Sequence, residues 1–222
     1  MTITKWIAEA DPSLTLHSEG EWSGMVGSDQ WSAFNDGGIE CETGEFLYGL
    51  IRLIKPENVL ETGTHKGIGA CYMAKALEDN NKGQLTTIEF LQELYAESIQ
   101  RFETVGLSSR IKAVYGDVRE YDPGDTKYDL ILLDTEPDQR FNEVLKFYPY
   151  LNPGGFMFIH DLHRHMSQTE WPEEAHPFGW PFGKIPEAMN QLMITRKLNK
   201  MHFPTPRGFT GFYKTHEGDY QL

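Results

Sequence analysis

Val59-Leu60-Glu61-Thr62-Gly63-Thr64-His65-Lys66-Gly67-Ile68-Gly69 runs from an apolar segment through an acid into three glycines. Ala70 to Glu78 follows with residues that suit a helix. Strand, tight turn and helix N-terminus is the order this implies. Glycine at such a turn lets the backbone bend sharply and lets a ligand approach the main chain where a Cβ would block it. Twenty positions after Gly69, the run Thr86-Thr87-Ile88-Glu89 closes a second strand-like segment on an acid. A carboxylate so placed can accept hydrogen bonds from both hydroxyls of a ribose. An ordinary βα turn without a ligand is the plainer alternative.

Outward from that turn, the chain repeats one grammar. Asn58 to Glu61, Gln84 to Glu89, Ile111 to Tyr115, Tyr128 to Leu133 and Phe156 to Ile159 read as strands. Gly67 to Leu77, Gln92 to Val105 and Phe141 to Leu151 read as the helices between them. A further helix is expected from Thr43, as its cap, to Ile54, because Phe46, Leu47, Leu50, Ile51 and Ile54 recur at helical spacing before Lys55-Pro56. Strands alternating with helices predict a doubly wound parallel sheet with right-handed crossovers. Lys200 to Phe203 and Phe209 to Lys214 add a closing antiparallel hairpin, seven strands in all. The expected strand ends are Glu61, Glu89, Asp117, Asp134 and His160-Asp161, so polar groups gather where ligands of such sheets bind.

The totals narrow the partners. The chain has 222 residues, enough for one large core, with 33 acids against 20 bases and a net charge of −13. No basic tract stands out, which speaks against nucleic acid and anionic membranes. Cys41 and Cys71 lack metal or redox spacing, so free thiols in a reducing, cytoplasmic setting are expected. The N-terminus lacks a signal-peptide core, and no run approaches the roughly 18 apolar residues of a membrane span. Residues 1–40 carry Trp6, Trp22 and Trp31 without a sustained period and read as an irregular arm, compatible with a homodimer contact. The main domain then spans 41–222, with a lid or substrate loop at 162–184, rich in His, Trp, Pro and Phe. Pro186 to Lys197 reads as a helix.

The glycine stretch, Glu61-x-Gly63-x-x-x-Gly67-x-Gly69, resembles motif I of the class I S-adenosylmethionine-dependent methyltransferases. It does not have the G-x-G-x-x-G spacing of dinucleotide-binding folds, which weakens an NAD-dependent oxidoreductase, and the phosphate loop G-x-x-x-x-G-K-[ST] is absent. The resemblance implies a Rossmann-like methyltransferase fold and S-adenosylmethionine as cofactor. Glu61, Thr62, Gly63, Thr64, Gly67 and Gly69 would form the cofactor loop, with Glu89 on the ribose. Asp117 and Val118 would hold the adenine, and Asp134 would lie under the methionine part or on a metal. His65 would help shape the loop, whereas Tyr72, Met73 and Phe90 suit the adenine or the core.

Leu133-Asp134-x-x-x-Asp138 and Phe158-Ile159-His160-Asp161 resemble the metal positions of the catechol-type and of the sugar-tailoring and cephalosporin-type O-methyltransferases. Asp134, Asp161 and His160 would then be ligands, and oxygen donors of this kind suit Mg²⁺. Two departures stand out. His160 replaces an acid of the sugar-tailoring group, and Pro137 replaces the catalytic lysine of the catechol group. Without a metal, a histidine can take the proton of an acceptor hydroxyl. His160 is favoured for that role and His163 is second, beside Asp161. The expectation is O-methylation of a small hydroxylated molecule such as a sugar or natural product. Two alternatives remain: a non-haem iron oxygenase built on His160, Asp161, His163 and His165, and a non-catalytic binding module that kept the cofactor fold.

Overall fold

The computed structural model describes residues 2–18, 30–136, 139–161, 191, 195, 198–203 and 205–215. Seven strands form one mostly parallel sheet in the order Ile111–Tyr115 (β5), Gln84–Glu89 (β4), Asn58–Thr62 (β3), Tyr128–Leu133 (β6), Leu151–His160 (β7), Phe209–Lys214 (β9) and Leu198–Phe203 (β8), the Rossmann-like methyltransferase arrangement ending in antiparallel strands. The chain divides into two compact units, residues 1–121 and 122–222.

In the first unit, the parallel ladder of β3 (Asn58–Thr62), β4 (Gln84–Glu89) and β5 (Ile111–Tyr115) carries the glycine turn. Glu61 lies opposite Thr87 in β4, and Glu89 opposite Tyr115 in β5. Val59, Leu60 and Leu85 are fully buried, as parallel strands covered on both faces require. Helix α3 (Ile68–Asp79) starts at Gly67, whose φ of 85° is left-handed, and α4 (Gln92–Thr104) joins β4 to β5. Tyr72 and Met73 are fully buried in the core, while Phe90 is exposed.

The described residues of the N-terminal arm hold more regular structure than the sequence suggests. Ile3–Ala10 forms helix α1, capped by the Thr2 side chain, and Leu16–Ser18 (β1) pairs with Ser32–Phe34 (β2) as an antiparallel ribbon. Only Ile3 and Ile7 mark the buried face of α1, too few to register as a period. Thr4 anchors it: its hydroxyl donates to Glu45 Oε1 at 2.8 Å and meets the Tyr72 hydroxyl at 2.7 Å. Helix α2 (Cys41–Ile54) begins earlier than expected, with Glu40 at the cap position. Thr43 lies inside the first turn and donates to Glu40 Oε2 at 2.9 Å, reversing its expected role.

In the second unit, β6 (Tyr128–Leu133) pairs in parallel with β7 (Leu151–His160), and β7 pairs antiparallel with β9 (Phe209–Lys214), which pairs with β8 (Leu198–Phe203). Helix α5 (Arg140–Phe147) is shorter than expected, because a 3₁₀ turn at Tyr148–Tyr150 takes over at Pro149. Strand β7 starts earlier than the expected Phe156, taking in Asn152 to Gly155, and its register with β6 shifts between Tyr128 and Leu130. The loop at 162–184, with His163 and His165, lies outside the described residues, as does Asp138. Gln191 and Thr195 are the described positions of the expected helix from Pro186.

Candidate active site

In the first unit the glycine turn is fastened to β4 from both sides. The amides of Gly63 and Thr64 donate to the Ile88 carbonyl at 3.0 and 3.1 Å, and the Gly67 amide donates to the Thr64 carbonyl at 2.9 Å. Gly63 has φ 79°, a conformation L side chains avoid. Gly69 is required for a different reason: a Cβ there would lie 2.7 Å from Glu61 Oε1. Glu61, only 2% exposed, receives a 2.5 Å hydrogen bond from the Thr87 hydroxyl on its other oxygen. Thr87 in turn meets the Thr64 hydroxyl at 2.5 Å. Thr64, Thr87 and Glu61 thus form a buried hydroxyl relay ending on a carboxylate. Thr62 beside them is fully buried.

Glu89 is anchored by main chain. The amide of His65, inside the turn, donates to its Oε2 at 2.7 Å, and the Leu91 amide donates to its Oε1 at 2.9 Å. His65 itself has φ 48°, so its backbone is shaped to aim that amide. A carboxylate has about four acceptor positions, so two remain after these bonds. Asp117 accepts the Arg119 amide at 2.8 Å and the Arg119 Nε at 3.0 and 2.9 Å on its two oxygens. Val118 is buried beside it.

Arg101 escaped the reading of the sequence. It lies on α4, 7% exposed, and donates from Nε to Asp11 Oδ2 at 2.9 Å. Its other two nitrogens reach the Lys66 carbonyl in the turn and Asp36 Oδ2. Lys66 Nζ pairs with Asp36 at 3.3 Å and with Glu97 at 3.2 Å. Burial alone would raise the Asp11 and Asp36 carboxyls; the hydrogen bonds from Ser13 and Arg101 to Asp11, and from Arg101 and Lys66 to Asp36, outweigh it and hold both below the ordinary carboxylate value. No periodic signal announces such a residue, because its partners lie far away in sequence.

In the second unit, the ends of β6 and β7 bring Asp134, His160 and Asp161 together, with one ligand-type atom of each within 4.8 Å of the others. The His160 ring is buried, and its Nδ1 lies 3.1 Å from Asp134 Oδ1 and 3.3 Å from Asp161 Oδ1. Asp161 takes a left-handed backbone at φ 56°, and its side chain keeps 28% of its surface exposed. Arg140, which the sequence also did not announce, is the largest fully buried side chain in this region. Its Nη2 lies 3.1 Å from Asp134 Oδ1 and 3.4 Å from Asp161 Oδ2. Its Nε donates to the Thr135 carbonyl at 2.9 Å, and Nη1 donates to the His160 carbonyl. Thr135 then donates to the buried Glu143 at 2.8 Å. The donor types would suit a divalent cation, but a guanidinium nitrogen already bridges both carboxylates.

Comparison with known proteins agrees with this architecture. Residues 60–162 match the family model described as a methyltransferase domain. A Mycobacterium sp. (strain JLS) protein, provisionally named an O-methyltransferase, is 28% identical over 127 residues, covering 56% of this chain and 57% of its own. A catechol O-methyltransferase of Niastella koreensis is 28% identical over 128 residues, 55% of this chain and 57% of its own. The chain thus spans a little over half the length of these curated relatives. Among solved structures, the Streptomyces achromogenes O-methyltransferase TomG of tomaymycin synthesis, in complex with SAM, superposes with a TM-score of 0.67 at 16% identity, over 96% of this chain and 90% of that one. The chain thus has the Rossmann-like methyltransferase fold, with a methyltransferase-domain match over residues 60–162. Its parallel sheet is not the antiparallel barrel that an iron oxygenase site uses, and the oxygenase alternative finds no support. Among the described residues, no helix is long and apolar enough to cross a membrane.

Proposed function

We propose that the protein is an S-adenosylmethionine-dependent O-methyltransferase acting on a small hydroxylated molecule such as a sugar or natural product. The observation that carries this is the anchoring of Glu89. Its two oxygens are fixed by amides from the turn and from the start of α4, leaving lone pairs to accept both hydroxyls of the cofactor ribose. The residues Glu61, Thr62, Gly63, Thr64, Gly67 and Gly69 shape the turn for the amino-acid and sugar parts. The amide of Val118 and the carboxylate of Asp117 serve the adenine, for which Asp117 shares its oxygens with Arg119. The cofactor supplies an electrophilic methyl group when bound, and the chain's task is to hold an acceptor oxygen in line and take its proton.

On the acceptor side, Asp161 is the exposed member of its cluster and is assigned to the substrate hydroxyl. His160, buried and directed at Asp134, is assigned to positioning the two carboxylates rather than to accepting the proton itself. The O-methyltransferase names of the relatives support the acceptor class.

Calorimetry with S-adenosylhomocysteine tests the proposal. The wild-type protein is expected to bind in the micromolar range, and Glu89→Gln to weaken binding by about tenfold or more, which is about 1.4 kcal/mol. Absence of binding at high micromolar concentration overturns it.

A further inference from the structure

We propose that Arg140 is the resident cation of the Asp134–His160–Asp161 cluster, and that no divalent metal binds there. Three acidic or imidazole groups within 4.8 Å would ordinarily read as a metal centre. Direct coordination of Mg²⁺ places carboxylate oxygens at about 2.0–2.1 Å from the ion. Here Arg140 Nη2 lies 3.1 Å from Asp134 Oδ1 and 3.4 Å from Asp161 Oδ2, in the bridging position itself. A second guanidinium follows, with Arg207 Nη1 3.7 Å from Asp161 Oδ1. Arginine stays protonated in proteins, so neither charge can be shed to admit an ion.

Nor can Arg140 swing aside without loss. Its Nε holds the Thr135 carbonyl at 2.9 Å, Nη1 holds the His160 carbonyl, and Nη2 reaches the Thr135 carbonyl as well. The residue is 2% exposed at the start of α5, so these carbonyls would lose buried donors if it left. Among the described residues, the two carboxylates of the cluster also face two guanidiniums, which offsets the charge that would attract a cation. The planar fork of arginine fits this arrangement, since it can address a carbonyl on one edge and carboxylates on another. Asp134 and Asp161 are thereby oriented without a metal, and Arg140 is a positioning residue for them. Only the catalytic meaning of this rests on the methyltransferase proposal; the statement about metal does not.

The test is a Mn²⁺ titration of the full-length protein followed by electron paramagnetic resonance. The wild-type protein is expected to leave Mn²⁺ free into the millimolar range, with or without S-adenosylhomocysteine. Arg140→Gln removes the charge while keeping much of the shape, and is expected to bind Mn²⁺ at least about tenfold more tightly than wild type. Asp134→Asn in that background should abolish the gain. Micromolar Mn²⁺ binding by wild type that Asp161→Asn removes overturns the proposal, and so does a folded Arg140→Gln that gains no Mn²⁺. If Arg140→Gln does not fold by circular dichroism, the wild-type titration decides alone. Calorimetry with S-adenosylhomocysteine reads the methyl-donor proposal separately, so the two can fail independently.

Discussion

Arg101 donates to the backbone carbonyl of Lys66, so a side chain on α4 holds the middle of a glycine turn 35 residues earlier. The same guanidinium is held by Asp11 and Asp36 from the N-terminal arm. Arg101→Met should therefore loosen the turn as well as remove a buried cation. A loss of about 3 kcal/mol in stability is expected, and S-adenosylhomocysteine affinity should fall by about tenfold. Arg101→Lys should rescue little, since an ammonium cannot address two carboxylates and a carbonyl in one plane. Urea denaturation and calorimetry on the three proteins check this.

The same network sets a pH response. Asp11 and Asp36 are held below the ordinary carboxylate value, because bonds from Ser13, Arg101 and Lys66 outweigh the effect of burial. A depressed folded-state value gives stability that is fully present above the unfolded value of about 3.9 and lost as pH falls through the folded one. Urea midpoints measured downward from neutral pH should therefore drop in the acid range. Asp11→Asn should be less stable at neutral pH and show a shallower drop.

Gly69→Ala sets two effects against each other. Alanine gains about 1 kcal/mol over glycine inside a helix. A Cβ at 2.7 Å from Glu61 Oε1 forces a buried carboxylate to move, and overpacking of this kind costs about 1–3 kcal/mol. The clash should win, so the melting temperature should fall despite the better helix former.

Thr87→Val removes the hydroxyl that joins Thr64 to Glu61 while keeping the shape of the side chain. It leaves a buried carboxylate oxygen short of a donor, at a cost of about 1–3 kcal/mol. Thr87→Ser keeps the hydroxyl and should lose less. Thermal unfolding of the pair separates the hydroxyl from the methyl group.

Cys41 and Cys71 are free and buried, and burial pushes both thiols up to about 12. Thiolate, the reactive form, is then scarce at neutral pH. Neither should react with a thiol reagent in the folded protein at pH 7, and both should react promptly in urea.

The parallel core was legible where a short apolar run meets an acid. Val59-Leu60 before Glu61 and Leu130 to Leu133 before Asp134 declare both a buried strand and its polar end in one short stretch. The glycine spacing was legible for the same local reason. Helix α1 was not, since Ile3 and Ile7 are two contacts on a single face. Arg101 and Arg140 were invisible for a deeper cause. Their partners are carboxylates and carbonyls dispersed along the chain, and pairing at a distance leaves no local pattern to read. Thr43 misled because a threonine in the first turn of a helix can serve as donor to the preceding acid as readily as it can cap.

The grip of Asp11 and Asp36 on Arg101 bears on how this chain can be cut. Residues ahead of the first parallel strand look dispensable to a designer trimming toward a minimal domain, because none of the described ones adds a strand to the large sheet. Yet they brace the guanidinium that holds the turn. A fragment begun at residue 41 would keep every letter of the glycine motif and forfeit the scaffolding that gives it shape.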